Sequence, residues 1–391
     1  MIAKLLMAHW SGFPGRLVLG WVGAYWPLLA VVSVAVGALG GCVVWWARGV
    51  RSAEAARAVW LSVQTPVSVA AGDSAGVFVR GVVGALHRTR RVGVGARHVV
   101  LEVVASAEGA RLGVWVPPRV DRAQIAAAIT SAWPGAVVTC VTAPPLVRGR
   151  RVTAVEVTAR QGVWAPWIQP RSAGRPPLGG DPFGGVLERL SARASGEVGF
   201  VQLVLGTYHR ATVARFAGKA VVAVLSELLA LVRFAVYGPR TTAAPARSGS
   251  GAAVSVSPYA AARQRALAAK QAAGLHVTAT LRVGVASDGP LPRGRAVAAS
   301  IAGGFDAIAD SDDSGGLVTH RARAAAYRVS ARRPGRAFVA TVAEVAALWH
   351  LPADAARYGL PVTRSRTRAA RPGLPRPTGS LVMPRPWYEK R

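Results

Sequence analysis

The longest uncharged stretch of the chain lies between Arg16 and Arg48, and within it "WPLLAVVSVAVGALGGCVVWW" is almost continuously apolar. About twenty helical residues at 1.5 Å each match the ~30 Å hydrocarbon core of a bilayer. Trp26, Trp45 and Trp46 fall where interfacial aromatic belts belong. The pattern predicts a single transmembrane helix over about residues 26–47, with Pro27 in its first turn. Arg48, Arg51 and Arg57 follow the run and Lys4 and Arg16 precede it, a slight positive-inside bias. It places the chain in the cell membrane with its bulk in the cytoplasm. A secretory signal has a shorter apolar region, and "LGGC" at Leu39 to Cys42, although like a lipoprotein box, runs straight into "VVWW". Gly37 and Gly41 have the spacing of a close helix-packing motif in a chain already rich in glycine.

From Trp60 onward the pattern changes to short alternating segments. "WLSVQTPVSV" reads as a strand, and Phe78, Val82, Ala85 and Leu86 recur at helical spacing. "HVVLEVVAS" and "RLGVWVP" are strands around the turn "AEGA"; Ile125, Ile129 and Ala132 mark a helix, and "AVVTCVTA" is a closing strand. This β-α-β-β-α-β order is that of a split βαβ, ferredoxin-like unit. "RVTAVEVTA", "DPFGGVLERLSA", "EVGFVQLVLGT", "GLHVTATLRVGVA", "RGRAVAASIAGGFDAIA" and "GLVTHRARAA" repeat it. The expected fold is therefore α+β: a single N-terminal transmembrane helix followed by two ferredoxin-like domains, the second with a helical insertion. The expected boundaries are 1–58 for the N-terminal segment, 59–147 and 148–350 for the two domains, 208–273 for the insertion, and 351–391 for a Pro/Arg-rich tail. Within the insertion, Glu227 and Arg233 interrupt "VVAVLSELLALVRFAVYG", which favours a packed helix over a second span. "PRTTAAPARSGSG" reads as a linker and "SPYAAARQRALAAKQAA" as a basic helix capped by Ser257.

Composition adds charge to this picture. The 391 residues carry a net charge of +30, almost all from arginine, with a mean hydropathy of +0.30. Arginine suits phosphate and anionic headgroups, although Ala, Gly, Val and Arg abundant together also reflect a GC-rich coding bias. The basic cluster "HRTRR" offers Arg88, Arg90 and Arg91, with Arg97 nearby, as phosphate contacts to DNA or lipid headgroups. No aromatics are interleaved with it to stack bases, which favours a solvated face. Cys42 and Cys140 both lie in apolar surroundings and supply neither a zinc cluster nor a disulfide framework.

Catalytic motifs are incomplete. "GDSAG" at Gly72 to Gly76 matches the G-x-S-x-G elbow that makes a serine nucleophilic, so a tethered serine hydrolase using Ser74 is one alternative. An elbow also needs an oxyanion loop and Asp and His partners; His320 and His350 are the candidate bases, without a visible parallel sheet to position them. Capping by Asp73 or Ser74 is the simpler reading. "DAIADSDDSGG" gathers Asp306, Asp310, Asp312 and Asp313 in the manner of a calcium loop, but Arg321 stands where the closing glutamate belongs. Gly218–Lys219 lacks the rest of a P-loop. No catalytic, cofactor or metal residue is assigned.

A resemblance joins these pieces. The apolar run, "VVLEVVASAEGARLGVWVPPRVDRAQIAAAITSAWPGAVV", "DPFGGVLERLSARASGEVGFVQLVLG" and "GRAFVATVAEVAALWHLP" together resemble the N-terminal region of conjugative coupling-protein ATPases, the DNA pumps of type IV secretion. "EVAALWHLP" at Glu344 to Pro352 is the most specific of them. In that family a proline-rich connector leads from this segment into the P-loop ATPase; here "RPGLPRPTGSLVMPRPWYEKR" ends the chain. The resemblance implies a non-enzymatic assembly component whose partners are a separately encoded P-loop ATPase, further copies of itself, or DNA.

Overall fold

The computed structural model describes residues 52–67, 73–89, 96–144, 150–168, 183–208, 258–309 and 316–363, with residues 37–42, 45–46, 49–50, 69, 146 and 181 besides. In chain order these form β1 (Val59–Pro66), α1 (Ser74–Arg88), β2 (His98–Ser106), β3 (Gly109–Val116), α2 (Arg122–Ala132), β4 (Val137–Val141) and β5 (Arg151–Ala159). Then come α3 (Gly184–Ser191), β6 (Val198–Thr207), α4 (Pro258–Ala272), β7 (His276–Ser287), α5 (Leu291–Gly303) and β8 (Leu317–Arg321). The last elements are α6 (Ala325–Ser330), β9 (Phe338–Thr341), α7 (Val342–Leu348) and β10 (Val362–Thr363).

The strands form one ten-stranded sheet, β10-β1-β3-β2-β6-β7-β5-β8, with β4 also on β1 and β9 also on β7. Every pair is antiparallel except the two-residue contact of β1 with β10. This corrects the expectation of two ferredoxin-like domains behind a membrane helix. β2 pairs with β6 from His98↔Gly206 to Ala105↔Gly199, so the strands of both β-α-β-β-α-β runs belong to a single body. The reason lies in the two strands at the junction, whose interiors are buried on both faces. As edges of separate domains they would leave apolar side chains and a row of backbone donors and acceptors in water.

The expected span over residues 26–47 lies largely outside the described residues, Trp26 among them. Residues 37–42 and 45–46 are helical, with Trp45 and Trp46 77% and 55% exposed. No helix among the described residues is long and apolar enough to cross a membrane, so the structure gives the expected single span no support.

Helices α1, α2, α3, α5 and α7 build one face of the fold. Phe78, Val79, Val82 and Leu86 of α1 and Ile125 and Ile129 of α2 sink into a core shared with Leu61, Leu101 and Leu112. The same core continues through Leu187, Leu203, Leu281, Ile301 and Leu348 of the second run. Phe78, Trp133 and Trp349 form its aromatic centre, with ring centroids 5.1 to 6.3 Å apart. The β2–β3 hairpin turns through Ala107 and Glu108, with Gly109 at φ +126°, where a side chain would be strained. Because the core is continuous across the junction, the body should unfold in one transition. Tryptophan fluorescence and far-UV circular dichroism followed in urea should give coincident curves, and two separated transitions would contradict the shared core.

Candidate functional site

The other face of the sheet carries an arrangement that periodicity did not reveal. The register places Thr139, Ser62, Gly113, Glu102, Gln202, Arg282, Glu156 and His320 side by side on eight successive strands. Four neighbours in this row are buried: Glu102, Gln202 and Arg282 at 0% exposure and Glu156 at 3%. Gln202 Nε2 donates to Glu102 Oε1 at 2.8 Å, Arg282 Nη1 to Gln202 Oε1 at 3.2 Å, and Arg282 Nη2 to Glu156 Oε1 at 3.0 Å. Burial pushes the Arg282 guanidinium below its ordinary pKa, and the hydrogen bond and charge of Glu156 oppose that shift.

A strap of residues 322–336, containing α6, closes over this row. Arg332 reaches Glu102 with Nε at 2.8 Å and Nη2 at 3.2 Å. The backbone carbonyls of Arg328, Val329 and Arg333 accept from Arg282 and Gln202, and the Arg336 amide donates to Glu156 Oε2 at 2.8 Å. Apolar clusters flank the row, one holding Phe200, Ala322 and Val329 and the other Trp60, Trp115 and Val204. Each buried charge has an opposite charge and hydrogen bonds, so the row is a closed clamp without access for a substrate.

A second buried pair underlies an open cleft. Lys270, at the end of α4, donates to Ala165 O at 2.9 Å and pairs with Glu344 at 3.0 Å. Burial lowers the Lys270 pKa, and the Glu344 charge and hydrogen bond oppose the shift. Glu344 Oε1 also accepts from the Trp167 amide at 2.7 Å, and its Oε2 completes a capping box with Thr341 at the start of α7. Above the pair, Trp164, Tyr208 and His276 line a cleft of about 440 Å³ together with His87, Gln271 and Leu275.

A third cluster ties α7 to α3. His350 Nε2 lies 2.7 Å from Asp181 Oδ1, and its Nδ1 lies 3.0 Å from Ala346 O. Burial pushes the Asp181 carboxyl up, but the hydrogen bond and charge of His350 and the amides of Phe183 and Gly184 together outweigh it. The Asp181 pKa is held below 3.8.

The residues singled out in the sequence fare differently. Arg88 is engaged by Gln124 Oε1 of α2 at 2.7 and 2.9 Å; Arg97 is half-buried; Arg90 and Arg91 lie outside the described residues. Ser74 begins α1, but neither it nor Asp73 caps the helix with a side chain. Asp73 instead receives Arg80 at 2.7 Å, in an exposed ion pair. Both candidate bases are committed elsewhere: His350 to Asp181 and Ala346, and His320 Nε2 to Thr158 Oγ1 at 3.1 Å. Asp306 lies in a 3₁₀ turn; Asp310, Asp312 and Asp313 lie outside the described residues, as do Glu227, Arg233 and Ser257.

The charged row had a legible signal. "VLEVV", "AVEVT", "FVQLV" and "TLRVG" each set one strongly polar residue amid apolar neighbours, with both signs represented. Comparison with protein-family models, curated proteins and solved structures returned no match.

Two measurements follow from this geometry. Arg282→Met leaves Glu156 without its buried charge partner and should cost about 3–5 kcal/mol in chemical denaturation. The double variant Arg282→Met, Glu156→Leu should be less destabilised than that single variant. For Asp181 the depressed native pKa means that its contribution is full above 3.8 and is lost as pH falls through the lower native value. The stability gap between the wild type and Asp181→Asn should therefore shrink as pH falls below about 4.

Proposed function

We propose that the chain is a non-enzymatic assembly component of a conjugative DNA-transfer or type IV secretion-like apparatus, a rigid docking module for a separately encoded P-loop ATPase. One observation carries the reading: the segments of the coupling-protein resemblance meet in space. Asp181 of "DPFGG" meets His350 of "LWHLP" across 169 positions, and the Phe183 ring lies tilted against the same imidazole at 5.4 Å. Trp133 of "SAWPG" meets Trp349 of "LWHLP" edge-on at 6.3 Å. Residues whose shared order suggested the family thus hold one another in place around α7, as parts of a common architecture do. The clamped polar row adds rigidity, which a docking surface needs if binding is not to be offset by ordering. A place at the cell membrane, with the bulk of the chain on the cytoplasmic side, belongs to this reading through its partners and does not rest on a transmembrane span.

Affinity capture of the full chain from its host after mild crosslinking should recover a P-loop ATPase that lacks this N-terminal module. Recovery should fall when His350→Ala loosens the α3–α7 contact while circular dichroism remains native. Capture that repeatedly yields no ATPase from cells active in DNA transfer would sink the proposal.

A further inference from the structure

We infer that the cleft above Lys270 is a stacking site for a base of single-stranded DNA. Three rings far apart in sequence converge there: Trp164 after β5, Tyr208 just after β6, and His276 at the start of β7. Their centroids lie 5.4, 5.3 and 6.2 Å apart, with interplanar angles of 86°, 64° and 63°. Rings crossed so closely brace one another edge to face, and no cation fits between them as it does in an aromatic cage. With His87 and Gln271 they line a largely polar cleft of about 440 Å³, within the size range of small-molecule sites.

The walls are held from one point. Lys270 Nζ binds the carbonyl of Ala165, the neighbour of Trp164, while the Lys270 carbonyl accepts His276 Nε2–H at 2.7 Å. Gln271, on the rim, is the next residue. A buried ion pair adds little net stability but is suited to fixing one geometry. Here it fixes the ring platform before any ligand arrives.

The lining selects the ligand class. Among the described residues it contains no carboxylate to attract a cation and no arginine or lysine to grip the phosphates of a free nucleotide. It does contain an amide, Gln271, able to donate and accept at a base edge, and the His276 imidazole, oriented by its Nε2 on the Lys270 carbonyl. A base therefore enters while its sugar-phosphate stays outside, in the field of a chain of net charge +30. His87 on the rim opens, in sequence, the basic run of Arg88, Arg90 and Arg91. The choice of a strand over another planar ligand rests on the DNA-transfer reading; the cleft chemistry does not.

The test is fluorescence anisotropy of the full chain with a short labelled oligothymidylate and with an abasic oligomer of equal length. The wild type should prefer the strand with bases. Trp164→Ala and Tyr208→Ala should each weaken oligothymidylate binding by roughly 5- to 150-fold while leaving abasic binding and the salt slope unchanged. Trp164→Phe should retain most of the preference, which separates lost stacking from lost folding. Equal wild-type affinity for the two oligomers, equal losses on both in Trp164→Ala, or free thymidylate bound as tightly as the oligomer would each overturn the inference. Capture of the ATPase is read independently, so failure here leaves the docking reading to stand or fall by its own experiment.

Discussion

The register of the central strands depends on Glu102, Gln202, Arg282 and Glu156 standing abreast. In a sheet a slip of one residue exchanges the two faces of a strand. A slip of β7 would drive the Arg282 guanidinium into the core of Leu203, Ile301 and Leu348 and turn Leu281 or Val283 toward the carboxylates. The cost of an unpaired buried charge far exceeds what any shifted apolar contact returns. Hydrophobicity makes β2 and β6 central strands, and the polar row decides which alignment of them exists.

The row in turn explains the strap. Its helix is only six residues long, and Ala324 and Arg332, on either side of it, both adopt left-handed backbone at φ 49° and 50°. Such conformations in residues with side chains persist only where surroundings over-determine them. The surroundings here are the carbonyls of Arg328, Val329 and Arg333, drawn down onto Arg282 and Gln202, and the Arg332 fork on Glu102. Gly335 completes the fit, since a Cβ at that position would collide with the Glu156 carboxylate. The hydrogen bonds and ion pairs of the row offset the strain in the strap.

Much of the element order was readable from periodicity. Phe78, Val82 and Leu86 lie on the buried face of α1, Ile125 and Ile129 on that of α2, and the strand expected in "GLVTHRARAA" exists as Leu317–Arg321. What failed was the partition into domains. Periodicity reports which face of a strand is buried, not which strand lies beside it, and two runs of one connectivity read naturally as two bodies. The near-continuous burial along "HVVLEVVAS" and "GFVQLVLG" was the contrary sign, because an edge strand does not normally hide both faces. The cleft was less legible still. Trp164, Tyr208 and His276 belong to three separate stretches, and only tertiary structure brings an aromatic site out of a chain whose basic cluster has no ring within it.

The shared sheet also changes what counts as a part of this molecule. Severed between β4 and β5, the first run would keep Glu102 but lose both Gln202 and Arg332, and β2 would become a bare edge bearing a stranded carboxylate. The second run would keep Arg332 and Gln202 with no acid to receive them. Two halves that look self-sufficient by connectivity are thus complementary by charge, and neither can be parted from the other without stranding a buried ion.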